Sequence, residues 1–156
     1  MPRITRRTAL GLGLLLTLPA CGGRRVPEPV SQRGLHPGET PQLRALIDRY
    51  AAEYDIPVSL LHRVIQRESG YNPAARNGPY WGLMQILPQT AQTMGHRGPP
   101  SDLLDPETNL KYGAKYLRGA WLLADGSQDR AVMWYAKGYY YEAKRRGMLV
   151  QTGLRS

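Results

Sequence analysis

Apolar residues recur at intervals of three and four along most of the chain, and turn-forming residues mark where each run stops. Leu43, Leu46, Ile47, Tyr50 and Tyr54 form one such stripe, preceded by Thr40 as a helix cap and Pro41 at the first helical position. Asp55-Ile56-Pro57 ends that helix and starts a second one, which runs to about Ser69. Gly70 to Gly82 has no helical period and reads as loop. Pro88 to Met94 is a short helix stopped by Gly95, and HRGPPSDLLDP is a connection. Asp105 and Pro106 open a long helix to about Ala124, Asp125-Gly126 turns the chain, and Ser127 caps a last helix that continues to about Arg146 and stops at Gly147. No stretch alternates as a strand should. The expected fold is a small all-α domain with at most a minor β-hairpin in the 70–86 loop.

The front of the chain follows different rules. Residues 1–21, MPRITRRTALGLGLLLTLPAC, place a basic start before the apolar run Ala9 to Leu18. That run is too short to span a bilayer comfortably but right for a signal peptide. TRRTAL is similar to a twin-arginine export signal, with Arg6 and Arg7 as the pair. LPAC, Leu18 to Cys21, resembles a bacterial lipobox, which implies that Cys21 is lipidated and becomes the new N-terminus. Gly22 to Glu39 is rich in Gly and Pro and without period, a tether reaching at most ~60 Å when extended. The expected organisation is therefore a signal peptide over 1–20, a lipidated cysteine and tether over 21–39, and a catalytic or binding domain over 40–156.

Charge narrows the partners. The chain carries 21 Lys and Arg against 12 Asp and Glu, a formal +9. Removing Arg3, Arg6 and Arg7 of the leader leaves an excess that favours an anionic partner. Cys21 is the only cysteine, so neither an intrachain disulfide nor a cysteine zinc site is possible. His36, His62 and His96 show no pair at ligand spacing on one helix, and no metal or cofactor is expected. The basic, Tyr-rich segment KGYYYEAKRRG, Lys137 to Gly147, could meet nucleic acid, but an exported protein rarely does; muropeptide carboxylates, anionic lipid or a plain solvated face remain open for it.

One position breaks the pattern on the second helix. Leu61, Val64, Ile65 and Glu68 share a face, with Arg63, Gln66 and Arg67 elsewhere, so a carboxylate extends the apolar stripe. A carboxylate there loses hydration, which raises its pKa and suits a general acid. The alternative is a helix-end Glu that emerges into solvent or pairs with an Arg. Spacing alone leaves both open.

The residues beyond Glu68 carry a resemblance. ESGYNP, then GLMQI, then DPETNLKYGAKYL over Asp105–Leu117, is similar to the lytic transglycosylases of the soluble (SLT) type, family 1-like, in the lysozyme-like superfamily. The likeness covers about residues 42–147. It implies a lysozyme-like α fold and a glycan cleft. Glu68 matches the family's single catalytic glutamate and Ser69 the serine after it. Gly82, Leu83, Met84 and Gln85 match the segment lining the cleft, with Met84 and Gln85 expected to touch sugar. Asn77 stands where many members have serine. Tyr116 matches a tyrosine on the long helix, and Tyr135 the tyrosine of an AYNAG motif that hydrogen-bonds near the acid. That motif reads WYAKG here, so Ala136 lacks the family's amide and Lys137 adds a charge. Trp81 and Tyr80 are further candidates for stacking on sugars.

The resemblance implies cleavage of the β-1,4 bond between N-acetylmuramic acid and N-acetylglucosamine in peptidoglycan, leaving a 1,6-anhydro end. No second acid accompanies Glu68 in its loop, the next being Asp102, which is awkward for an ordinary hydrolase. Two other classes stay open: a non-catalytic peptidoglycan-binding lipoprotein, and a hydrolytic muramidase. The expected partners are glycan strands and, through the lipid, a membrane, with no nucleic acid. The protein is expected to be a periplasmic monomer anchored to the outer membrane.

Overall fold

A computed structural model describes residues 34–155; the leader, Cys21, the tether up to residue 33, and Ser156 lie outside the described residues. Helix α1, Pro41–Glu53, starts where its cap is written: the Thr40 hydroxyl accepts from the Leu43 N–H at 3.1 Å. Helix α2 spans Val58–Ser69 and ends at Gly70. A two-residue ladder, β1 Arg76–Asn77 and β2 Tyr80–Trp81, pairs antiparallel with Arg76 opposite Trp81. Helix α3 is Pro88–Thr93, and α4, Pro106–Leu122, is opened by Asp105, whose carboxylate accepts from Thr108 N–H at 2.7 Å. Helix α5, Gln128–Lys137, is capped by Ser127, and α6 is Tyr140–Arg145. The domain is all-α with one minor hairpin, as its periodicity predicts.

The long helix α4 is the axis. It packs on α1, α3 and α5, and its Leu110, Ala114, Leu117 and Ala120 are fully buried. Ile47 of α1 and Leu61, Val64 and Ile65 of α2 close the same core. Burying such side chains stabilises the fold by roughly 1.5–3 kcal/mol each.

The connection that begins at His96 holds a 3₁₀ turn, Pro100–Leu104, which buries Leu103. One expectation needs correction. The final helix is not continuous to Arg146 but breaks at Gly138, with φ 81° and ψ 148°. The break turns Tyr139 into the core, where its ring lies 4.6 Å from Tyr116 and its hydroxyl donates to the Tyr116 carbonyl at 2.8 Å. That backbone region is open almost only to glycine. Gly138→Ala is therefore expected to cost about 1–3 kcal/mol of stability, and thermal unfolding reads it directly; an unchanged midpoint would show that the break does not depend on glycine.

At the other end, residues just before Thr40 pack on the helices: Glu39 is buried and His36 stacks on Tyr71 at 5.2 Å. The Arg44 guanidinium donates to both Glu39 oxygens, at 2.7 and 2.6 Å, and the His36 N–H donates to Oε2 at 2.9 Å. These bonds hold the Glu39 carboxyl below its usual range although burial alone would raise it. Ligand atoms of His36, Glu39 and His62 come within 4.8 Å of one another, a convergence that spacing on one helix could not reveal. Arg44 already neutralises the carboxylate, so a cation would have to displace it. The cluster reads as a clasp that holds the incoming chain to α1 and α2.

Two of the four cations of the basic segment, Arg145 and Arg146, are paired. Arg145 pairs with Glu142 at 2.6 Å, and Arg146 with Glu142 and with Asp125. Tyr139 faces inward while Tyr141 stays exposed. Around α6, where the arginines are already paired, a solvated face is favoured over an anion-binding stripe; Lys137, at the end of α5, is not part of that pairing.

Candidate active site

The stripe that carries Glu68 out of the core ends at a cleft between α2, the hairpin, the 82–87 segment and α5. Two lobes share a wall of Tyr80, Gln85, Tyr135 and Ala136. The first, about 260 Å³, is completed by Arg67, Glu68 and Asn77. The second, about 200 Å³, is completed by Ile86, Leu87, Thr90, Tyr116, Lys137 and Gly138. Glu68 is the sole carboxylate lining either lobe.

Its side chain is 22% exposed, reachable but largely stripped of water. Burial pushes its pKa up, opposed in part by Arg67, whose Nε lies 3.7 Å from Oε1. Burial dominates, as the amphipathic reading of α2 predicts.

A second device holds the wall opposite Glu68. Gln85 adopts a left-handed backbone, φ 46°, which a non-glycine residue keeps only when its surroundings dictate it. Here they do. Its N–H donates to Gly82 O at 3.1 Å, and its Nε2 donates to Ala75 O at 3.1 Å and to Gly82 O at 2.9 Å. Trp81 and Ile86 bridge on either side. From α4, fully buried Asn109 accepts from Met84 N–H at 2.9 Å and donates to Trp81 O at 2.9 Å and Leu103 O at 2.7 Å. Gly82 lets that amide approach, since a Cβ there would collide with Asn109 and with Leu103 O. The Tyr135 hydroxyl then donates to Met84 O at 2.7 Å.

The cleft therefore gathers Glu68, Asn77, Gln85, Tyr116 and Tyr135 from the expected set. It leaves out Ser69, whose hydroxyl donates back to Ile65 O at 3.3 Å. Leu83 and Met84 are fully buried, so Met84 does not present its side chain to sugar; its carbonyl is instead the anchor for Tyr135. Gly82 serves the close approach just described. Tyr135 donates to that carbonyl and not to Glu68, so its contribution is to fix the wall facing the acid. Burial pushes the Tyr135 hydroxyl well above its ordinary pKa, with the Glu68 charge adding to the rise, and lifts Tyr116 to about 12. Both stay neutral. Tyr80, 43% exposed, lines both lobes, whereas the Trp81 ring is covered by the Arg76 guanidinium at 3.5 Å and lines neither. Asn109 is a site residue that the sequence pattern does not single out. The one signal for it is a polar amide in register with Leu110, Gly113, Ala114 and Leu117 on the buried side of α4.

Comparison with known proteins identifies the family of the chain. The family described as Transglycosylase SLT domain matches residues 45–147. The chain is 37% identical over 81 residues to the soluble lytic murein transglycosylase of Escherichia coli (strain K12), covering 47% of this chain and 12% of that protein. It is 35% identical over 124 residues to the endo-type membrane-bound lytic murein transglycosylase A of Klebsiella pneumoniae (strain 342), covering 71% and 59% respectively. It is 38% identical over 80 residues to the membrane-bound lytic murein transglycosylase C of Yersinia pestis (strain Pestoides F), covering 46% and 22%. The matched part is thus well short of the whole length of each relative. No solved structure matches the chain.

Proposed function

The chain belongs to the transglycosylase SLT family, and from that membership we propose that it is a peptidoglycan lytic transglycosylase, with Glu68 as its acid and base. The observation that carries the reading is a lone, partly buried carboxylate with a raised pKa in a cleft that offers no second one. A hydrolase of the usual kind needs two carboxylates flanking the bond. A transglycosylase needs one.

In the proposed sequence Glu68 gives its proton to the glycosidic oxygen between N-acetylmuramic acid and N-acetylglucosamine as the C1–O bond breaks. The acetamido oxygen of the muramic sugar closes on C1 and takes up the developing charge. The carboxylate, now a base, removes the proton of the same sugar's C6 hydroxyl, whose oxygen attacks C1 and releases the acetamido group. The proton returns to Glu68, no water is consumed, and the product ends in a 1,6-anhydro ring. Gln85, held rigid by the two bonds its side chain donates and the one from its backbone, and Asn77 face the same lobe and position the ring. Tyr135 and Tyr116 shape the wall and exclude water without exchanging protons.

We also propose that the enzyme works in the periplasm, attached to the outer membrane. No helix among the described residues is long and apolar enough to cross a membrane. Attachment falls to the lipobox-like LPAC segment and Cys21, which lie outside the described residues; two of the relatives are named membrane-bound. The test is direct. Purified sacculi incubated with the protein should release fragments ending in 1,6-anhydro-muramic acid, read by mass spectrometry. Reducing ends would instead assign it to the hydrolases, and sedimentation with sacculi without release would make it a binding protein.

A further inference from the structure

The cleft carries a charge that the proposed chemistry does not use. Lys137 lines the second lobe, at the end of α5 where the chain breaks at Gly138. It is exposed, and no carboxylate lines that lobe or pairs with it among the described residues. The cations beside the cleft are engaged: Arg67 lies against Glu68, and Arg76 of the hairpin covers Trp81. A lysine in the last turn of a helix is favoured by the helix dipole whatever it faces. The dipole does not explain why the residue lines a sugar-sized lobe, beside a position reduced to Ala136 with no polar side chain.

We propose that Lys137 is a specificity residue that binds a carboxylate of the glycan strand in the second lobe. This rests on the transglycosylase reading for its substrate class. The lobes meet at a shared wall, so a strand whose scissile oxygen reaches Glu68 carries its neighbouring groups into the lobe of Lys137. Two sources offer the same anion there. A muramic acid without its peptide exposes its own lactyl carboxylate, and one with its peptide exposes carboxylates further along the stem. Tyr80, Thr90 and Gln85 give the lobe polar walls, and Lys137 supplies its only charge.

The experiment reads binding, so that it does not depend on turnover. The full chain carrying Glu68→Gln, and the same chain with Lys137→Met added, are titrated with three soluble strands: stem-bearing, stem-free with lactyl carboxylates, and stem-bearing with every carboxylate amidated. Lys137→Met is expected to weaken binding about tenfold, ~1.4 kcal/mol, to a carboxylate-bearing strand and to leave the amidated strand unchanged. The loss should shrink as salt rises, and Lys137→Arg should restore binding. Whichever charged strand shows the loss identifies the source. Equal weakening on all three strands, or none on any, overturns the proposal. The transglycosylase reading fails separately, if the unmodified chain releases no anhydro ends from sacculi.

Discussion

Replacing Glu68 by Gln is expected to lower kcat/KM on glycan strands by about 10²–10⁴-fold, the usual contribution of a positioned acid and base, while strand binding persists. The amide keeps the size of the side chain but can neither give a proton to the glycosidic oxygen nor take one from the C6 hydroxyl. The raised pKa adds a pH signature. Activity needs the protonated carboxyl, so kcat/KM should fall as pH climbs through the folded-state pKa, at a higher pH than for an ordinary carboxylate. Stability should fall over the same rise in pH. The charged form is costlier in the fold than in the unfolded chain, so the penalty is absent below the unfolded pKa and grows as pH rises past it. Glu68→Gln should therefore melt higher than the unmodified protein near about pH 8, with the gap closing towards about pH 3. A variant that still cleaves at the normal rate would remove Glu68 from the mechanism. A variant that melts no higher at any pH would show that the fold does not desolvate the carboxylate.

That one residue is visible in the sequence because its signal is local: a carboxylate three and four positions from Ile65 and Val64 needs no tertiary knowledge to look misplaced. The same holds for the caps Thr40, Asp105 and Ser127, whose side chains accept the bonds their positions predict. The features that escape depend on distant partners. Gly138 reads as an ordinary member of a helix until Tyr139 is seen to need the Tyr116 carbonyl, 23 residues earlier in the chain. His36 and Glu39 look like tether until Arg44, His62 and Tyr71 are brought against them. Met84 sits inside a motif whose resemblance points to sugar, yet the left-handed turn at Gln85 sends one neighbour into the cleft and the other into the core. Motif membership identifies the segment, but only the backbone path decides which side chains of it face substrate.

Asn109 shows the same dependence most sharply, and it yields the largest stability change expected away from the acid. Asn109→Ala removes three hydrogen bonds at once. Trp81 O keeps a partner in the Ile86 N–H at 3.1 Å, but the Met84 N–H is left buried with none. An orphaned buried donor, two weakened acceptors and a small void together should cost about 3 kcal/mol, or a melting point lower by roughly 10 °C. Activity should fall too, and by less than for Glu68→Gln, because Met84 O anchors Tyr135 and the neighbouring Gln85 loses its fixed frame. Asn109→Asp separates the bonding from the packing. Aspartate has the same shape and can still accept from Met84 N–H, but its second oxygen then faces two carbonyls, Trp81 O and Leu103 O, which an ionised carboxylate cannot donate to. Its folded pKa must rise, so the variant should approach the unmodified stability at about pH 4 and lose ground steadily towards about pH 8. If instead Asn109→Asp were as stable as the unmodified protein at both, the amide would be filling space and not holding the segment, and the rigidity of the wall opposite Glu68 would need another cause.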